Sequence, residues 1–169
     1  MTPTLMLSEL ERQRLWEGLI SAEVHAQYFA QLSNGYYRKQ RFSTWGTLIL
    51  SSGAFVAVVA SLPEFWQWLR AVTTLAAAGL SFYSLVMQSQ KMAADCSELF
   101  SRWSVLARQY RQLWENMYNE DAAEMLNRLD QGRTDLSKGA TQFPNDQKTM
   151  ARIQDRVEHE VQTALGQHG

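Results

Sequence analysis

Two stretches of the chain lack ionisable side chains, whereas the rest mixes apolar and charged positions. Residues 42–63 read FSTWGTLILSSGAFVAVVASLP and residues 71–90 read AVTTLAAAGLSFYSLVMQSQ. A helix of about 20 predominantly apolar residues is long enough to cross the hydrocarbon core of a bilayer. The segment SLPEFWQWLR can serve as a short turn between the two helices. The pattern therefore predicts a transmembrane helical hairpin.

Basic residues flank this predicted hairpin on one side. They are Arg38, Lys39 and Arg41 before the first stretch and Lys91 after the second, while the turn carries only Glu64 and Arg70. Short loops rich in Lys and Arg remain on the cytoplasmic side of the membrane. We therefore expect both termini to be cytoplasmic.

An apolar seam with spacings of four and three residues follows the second stretch. Its members are Met92, Cys96, Leu99, Trp103, Leu106, Tyr110, Leu113 and Met117. This heptad-type spacing predicts a helix face that is buried in a bundle or at an oligomer interface. Because no Gly or Pro interrupts residues 80–131, the pattern predicts a single helix of about fifty residues.

The N-terminal segment carries a matching apolar stripe before a predicted break at residues 33–35. The stripe consists of Leu15, Leu19, Ala22, Ala26 and Phe29. A hairpin in the membrane brings this helix beside the seam, so each helix buries its apolar face on the other or on a neighbouring subunit.

The C-terminal third is predicted to be a loop at residues 132–146, GRTDLSKGATQFPND, followed by an amphipathic helix. The predicted fold is therefore all-α, a two-helix membrane hairpin with long cytoplasmic helices that form an antiparallel bundle or coiled coil. Its segments are an N-terminal helix (1–41), the hairpin (42–90), a cytoplasmic extension of the second span (91–133) and the loop with the last helix (134–169).

One face of the second predicted span is small and polar. It comprises Thr74, Ala77, Ser81, Ser84 and Gln88, and Lys91 continues it beyond the span. Such side chains are costly against lipid, so the face packs on another helix or lines a water-filled pore. The pore alternative needs a homo-oligomer, because two spans cannot enclose a channel alone.

Composition and motifs exclude several classes of function. The 169 residues carry a net charge of −1, one cysteine and three histidines. The near-zero charge indicates no global attraction to nucleic acid. No phosphate-binding glycine loop, zinc-protease or hydrolase motif is present, and the isolated His25 reads as a surface residue. We therefore expect neither an enzyme nor a bound cofactor or metal.

The order of these parts resembles the SLATT family of two-helix membrane effectors. The resemblance covers residues 10–117 and rests on YYRKQRF before the hairpin and SELFSRWSVLARQYRQLW after it. It implies an oligomeric pore that depolarises or disrupts the membrane in anti-phage defence, causing abortive infection. It also implies control by a nucleotide or by the partner enzyme that synthesises it.

An anionic ligand of this kind would have cytoplasmic arginines available to it. Those on the exit helix are Arg102, Arg108 and Arg111, with Arg128 and Arg133 further along. The alternative interpretation is a non-conducting membrane anchor or scaffold that recruits a cytoplasmic partner through its coiled coil.

Overall fold

The structure, a computed structural model, describes residues 7–52, 68, 71–73, 75–76, 78–79 and 89–166. Within these ranges the helices are α1 Glu9–Ser51, α2 Ser89–Glu115, α3 Ala122–Ala140 and α4 Gln147–Gly166. The described ranges contain no β-strand, which confirms the all-α class.

Most of the predicted hairpin lies outside the described residues. This is true of residues 53–67 and 80–88, which include the predicted turn and much of both spans. Among the helices within the described ranges, none combines the length and apolarity required to cross a membrane.

The first helix begins at a reciprocal capping box. The backbone N–H of Ser8 donates to Glu11 Oε2 at 2.8 Å, and the N–H of Glu11 donates to Ser8 Oγ at 3.3 Å. Each side chain thus satisfies a backbone donor that the first helical turn leaves without an intrahelical acceptor. The bond from the Ser8 backbone lowers the pKa of Glu11, so its carboxylate stays charged at the positive end of the helix dipole.

The chain divides into two compact units. The bundle unit comprises Met1–Gln31 and Cys96–Gly169, and the paired-helix unit comprises Leu32–Asp95. In the paired-helix unit the hydroxyl of Ser33 donates to the backbone oxygen of Ala93 at 3.2 Å, and both residues are buried. This contact joins the middle of α1 to the start of α2.

Apolar side chains from α1 to α4 build the core of the bundle unit. The most deeply buried are Leu15, Leu19 and Phe29 of α1, Cys96, Trp103 and Tyr110 of α2, Leu126 of α3, and Ile153 and Val157 of α4. The α1 members belong to the predicted stripe and the α2 members to the predicted seam. The helical spacing of three and four residues therefore correctly identified the face that each of these two helices buries.

Contacts along α1 and α2 run in opposite directions. Trp16 packs on Trp114 with ring centroids 5.5 Å apart, and His25 stacks on Trp103 at 4.5 Å. Arg111 adds an ion pair with Glu23 at 2.6 Å. Because later residues of α1 contact earlier residues of α2, the two helices pack antiparallel.

Two helix boundaries differ from the sequence prediction. α2 ends at Glu115, and a turn over residues 116–121 replaces the middle of the predicted fifty-residue helix. The predicted loop at 132–146 is wrong for residues 132–140, which belong to α3 and leave only residues 141–146 as a connection. The predicted break at residues 33–35 is also wrong, because α1 continues through it.

Gly18 allows the closest approach between α1 and α2. A Cβ atom at this position would lie 2.6 Å from Cε1 and 2.8 Å from Cζ of Tyr110, a side chain that is completely buried. The ring has little freedom to shift, because its hydroxyl donates to Asp130 Oδ1 of α3 at 2.8 Å. The absence of a side chain at Gly18 therefore permits the packing of three helices around Tyr110.

Replacing Gly18 with Ala is expected to lower the free energy of unfolding by about 1–3 kcal/mol, the usual cost of overpacking a core. This loss would occur even though Ala favours a helix over Gly by about 1 kcal/mol. Gly35→Ala on the same helix is the matched control, since a Cβ there meets nothing within 4 Å. Urea unfolding of both variants measures the difference, and equal midpoints would contradict this account of Gly18.

Candidate functional site

The end of α1 presents large apolar side chains to the surface. Phe42 is 80% exposed, Trp45 61%, and Leu48 and Ile49 each 57%. Phe42, Trp45 and Ile49 follow the three- and four-residue spacing of one helix face. Isolated apolar residues are ordinary on protein surfaces, but a contiguous group of this kind is typical of contact with lipid or with another protein.

The predicted pore-lining residues fall almost entirely on undescribed positions. Thr74, Ala77, Ser81, Ser84 and Gln88 lie outside the described residues, and Lys91 is exposed on α2. The assignment of this face as a pore lining stays a prediction.

The predicted seam is buried within a single chain. Cys96, Trp103 and Tyr110 have no exposed surface, and Leu99, Leu106 and Leu113 are at most 9% exposed. Met92 and Met117, at the two ends, are partly exposed. The middle of the seam therefore packs on α1 and α3 of its own chain, whereas its part in self-association stays a prediction.

The arginines proposed for an anionic ligand do not form one cluster. Arg102 pairs with Glu98 and Arg111 with Glu23, each at 2.6 Å. On a helix, positions nine residues apart are rotated by about 180°, so Arg102 and Arg111 leave α2 in opposite directions. Arg108 is exposed and has no ion pair in the part of the chain that the structure describes. A single small anion cannot contact Arg102 and Arg111 together.

Asp130 of α3 connects three helices through polar contacts. Its Oδ1 accepts the Tyr110 hydroxyl, and its Oδ2 accepts a hydrogen bond from Arg14 of α1 at 2.6 Å. Arg133 lies 3.7 Å from Oδ1. Burial raises the pKa of Tyr110, and the hydrogen bond to the Asp130 carboxylate raises it further, so the phenol remains a hydrogen-bond donor.

His25 is not the surface residue that the sequence suggested. Its ring is half-buried and stacks on Trp103 with an interplanar angle of 18°, and its Nδ1 donates to the Ser21 carbonyl at 2.7 Å. The indole Nε1 of Trp103 is buried without a hydrogen-bond partner in the described residues. Spacing alone could have indicated this contact, because His25 adjoins Ala22 and Ala26 of the apolar stripe.

Two clefts adjoin His25. One, of about 370 Å³, lies between α1 and the α3–α4 connection and is lined by Tyr28, Phe29, Phe143 and Met150. The other, of about 270 Å³, lies between α1 and α4 and is lined by Trp16, Ile20, Met150 and Glu158. His25 and Met150 belong to both linings, so the edge of the His25 ring is the polar group common to two largely apolar clefts.

Acidification is expected to destabilise the bundle unit through His25. Burial lowers the pKa of His25 below 6.5, Arg133 contributes in the same direction, and the Ser21 carbonyl opposes them. As the pH falls through 6.5, the unfolded chain takes up a proton before the folded chain does. Stability is therefore full above this pH and declines below it.

Urea unfolding at about pH 5.5 and pH 7.5 tests this dependence. We expect a lower midpoint at the acidic pH, and a smaller difference between the two midpoints for His25→Gln. His159→Gln, on the exposed side of α4, is the matched control and should behave like wild type. An unchanged pH dependence in His25→Gln would rule out this residue as its source.

Comparisons of the chain with protein-family models, curated proteins and solved structures found no match.

Proposed function

We propose that this protein is an oligomeric membrane effector, similar in organisation to the SLATT family. Its two charge-free segments cross the bacterial inner membrane as a hairpin, and its bundle unit lies in the cytoplasm. On activation by a nucleotide or by a partner protein, several copies form a pore that depolarises the membrane.

One observation carries the membrane assignment: the large apolar side chains exposed at the end of α1. Phe42, Trp45, Leu48 and Ile49 are each more than half exposed, and they lie in the first of the two charge-free stretches. Burying each of these side chains in lipid, instead of leaving it in water, is favourable by about 1.5–3 kcal/mol. Three further apolar residues are exposed: Val72 and Leu75 lie in the second stretch, and Trp68 lies shortly before it.

The polar stripe of the second charge-free stretch supports a pore over an isolated hairpin. Hydroxyl and amide groups in hydrocarbon need a partner, and neighbouring helices or water can supply it. A ring of several protein chains with this stripe facing inwards would supply both kinds of partner. Adjacent helices would contact the edges of the stripe, and water in the pore would contact its centre.

A second candidate function is that of a non-conducting anchor that recruits a cytoplasmic partner. The burial of the seam within one chain favours it, since Leu99, Trp103 and Leu106 have almost no surface left for a second copy. In this alternative the polar stripe is only a packing surface between the two spans. The clefts beside His25 would then be available to the partner.

Two measurements test the proposal in sequence. Reporter fusions at Met1 and Gly169 should both be active in the cytoplasm and inactive in the periplasm, because the basic residues flank the hairpin on that side. A membrane-potential dye should then show depolarisation when expression is induced. Periplasmic activity at either end would contradict the hairpin, and stable potential with correctly inserted, activated protein would favour the anchor.

A further inference from the structure

An open groove of about 340 Å³ lies between α1 and α2 within the paired-helix unit. α1 contributes Tyr37, Gln40, Arg41 and Trp45, and α2 contributes Gln90. Tyr37, Arg41 and Trp45 occupy positions four residues apart, so they share one face of α1. The lining therefore combines a guanidinium group with two aromatic side chains, one turn before it and one turn after it on α1.

Arg41 provides a charge that the described part of the chain does not neutralise. The arginines at positions 14, 102, 111 and 128 each pair with a carboxylate. Arg41 is exposed and has no such pair among the described residues; Arg38 and Arg108 share this property, but neither lines the groove. A guanidinium group binds phosphate oxygens through two parallel hydrogen bonds, so an unpaired arginine in a groove suits a phosphate ligand.

Gln40, which also lines the groove, carries a hydrogen-bond acceptor without a partner. Its Oε1 atom is buried and accepts no hydrogen bond in the part of the chain that is described. Buried polar atoms without a partner are rare in folded proteins, and a ligand that carries a donor can satisfy one. Because this atom has no accessible surface, a ligand reaches it only when the Gln40 amide rotates towards the groove. The groove then offers a cation for a phosphate and an acceptor for a hydroxyl or ammonium group.

The position of the groove along the chain indicates where its ligand comes from. Arg41 is the last charged residue before the charge-free stretch that begins at Phe42. Gln90 is the last residue of the second stretch, and Trp45 has the ring type that favours the headgroup layer. If the hairpin is inserted as proposed above, the groove lies at the depth of the lipid phosphates.

We propose that this groove binds the headgroup of a phospholipid, with Arg41 on the phosphodiester and the Gln40 amide rotating to accept a hydrogen bond from the headgroup hydroxyl or ammonium. The proposal rests on the membrane insertion proposed above. It adds a defined lipid site to a surface that otherwise attracts anionic lipid only through diffuse charge from Arg38, Lys39 and Arg41.

Native mass spectrometry of the full chain, released from detergent and titrated with phosphatidylglycerol, tests the site. Arg41→Gln is expected to weaken binding of the first lipid about tenfold, the usual effect of losing a hydrogen bond to a charged group. Arg38→Gln is the control: it removes the same charge three residues earlier on α1, and the Arg38 side chain does not line the groove. It should keep the wild-type affinity to within about twofold.

Equal weakening by the two variants would overturn the site in favour of diffuse attraction. If soluble glycerol phosphate displaces the lipid at equal concentration, the groove binds a free phosphate ester and not specifically a phospholipid. Extraction of the wild type from membranes by alkaline carbonate would refute the membrane assignment and the site with it. Retention in the membrane with lipid binding that is indifferent to Arg41 would refute the site alone.

Discussion

Leu106→Asp is expected to destabilise the bundle unit by on the order of 4 kcal/mol. Leu106 is 5% exposed, and its Cδ1 lies 3.8 Å from the point that a Cβ of Gly132 would occupy. A carboxylate buried at this position would lose most of its water, and burying a charge is costly unless it is paired and hydrogen-bonded. Because small domains are stable by only about 5–15 kcal/mol, this one change removes much of the total.

Val105→Asp is the matched control for Leu106→Asp. Val105 precedes Leu106 on α2 and is 41% exposed, so the same substitution there should change stability by only about 0.5 kcal/mol. Tryptophan fluorescence in a urea titration of the full chain measures both effects. If Leu106→Asp instead separates oligomers while the unfolding midpoint is unchanged, the seam joins different chains.

Loss of depolarisation is the expected result of Ser81→Leu combined with Ser84→Leu. If the polar stripe faces water in a pore, two leucines near the middle of the span add bulk and remove the groups that hold the water. Insertion should be unaffected, because leucine favours the bilayer core. The dye response should then fall to background although the oligomer is intact.

Tyr83→Leu combined with Val86→Leu provides the control for this experiment. On the helix that the sequence predicts, at 100° per residue, these two positions would lie on the side opposite residues 81 and 84. The control should therefore depolarise like wild type. Full conduction by the inserted Ser81, Ser84 variant would eliminate this face as a pore lining, and loss of the oligomer would identify it as a packing surface.

Periodicity predicted much of the bundle unit because burial follows it closely. The apolar positions at intervals of three and four predicted which faces of α1 and α2 are buried, and α4 likewise buries Ile153, Val157 and Val161. The rule works because each helix has to cover one stripe of apolar surface, whatever its partner is. The partner itself, and whether it belongs to the same chain, does not follow from the stripe.

The loop predicted at residues 132–140 is wrong because it relied on two glycines. Gly132 and Gly139 suggested a loop, yet both belong to α3 and face α2. Added Cβ atoms at these positions would lie 3.8 Å from Leu106 and 3.9 Å from Leu99. A Cβ would make ordinary van der Waals contacts there, so neither position requires glycine for packing. A glycine tolerated inside a helix does not differ in sequence from one that marks a turn.

The end of α2 had no strong signal in the sequence. Asn116 closes the helix, with its side-chain amide donating to the Gln112 carbonyl at 2.8 Å, and the turn continues to Asp121. Neither glycine nor proline is needed for this stop. It is required by tertiary packing, since α3 has to return along α2 for Asp130 to reach Tyr110.

The antiparallel packing of α1 on α2 has a consequence for synthesis on the ribosome. Leu15 and its neighbours are translated first, but the α2 residues that cover this part of α1 follow about 80–100 positions later, and such distant contacts form late. Both charge-free stretches emerge in the interval. If they enter the bilayer as proposed, insertion comes first and holds the two halves of the bundle close together. The apolar stripe of α1 would until then be a binding site for chaperones, so the membrane segment would act as a folding aid for the domain outside it.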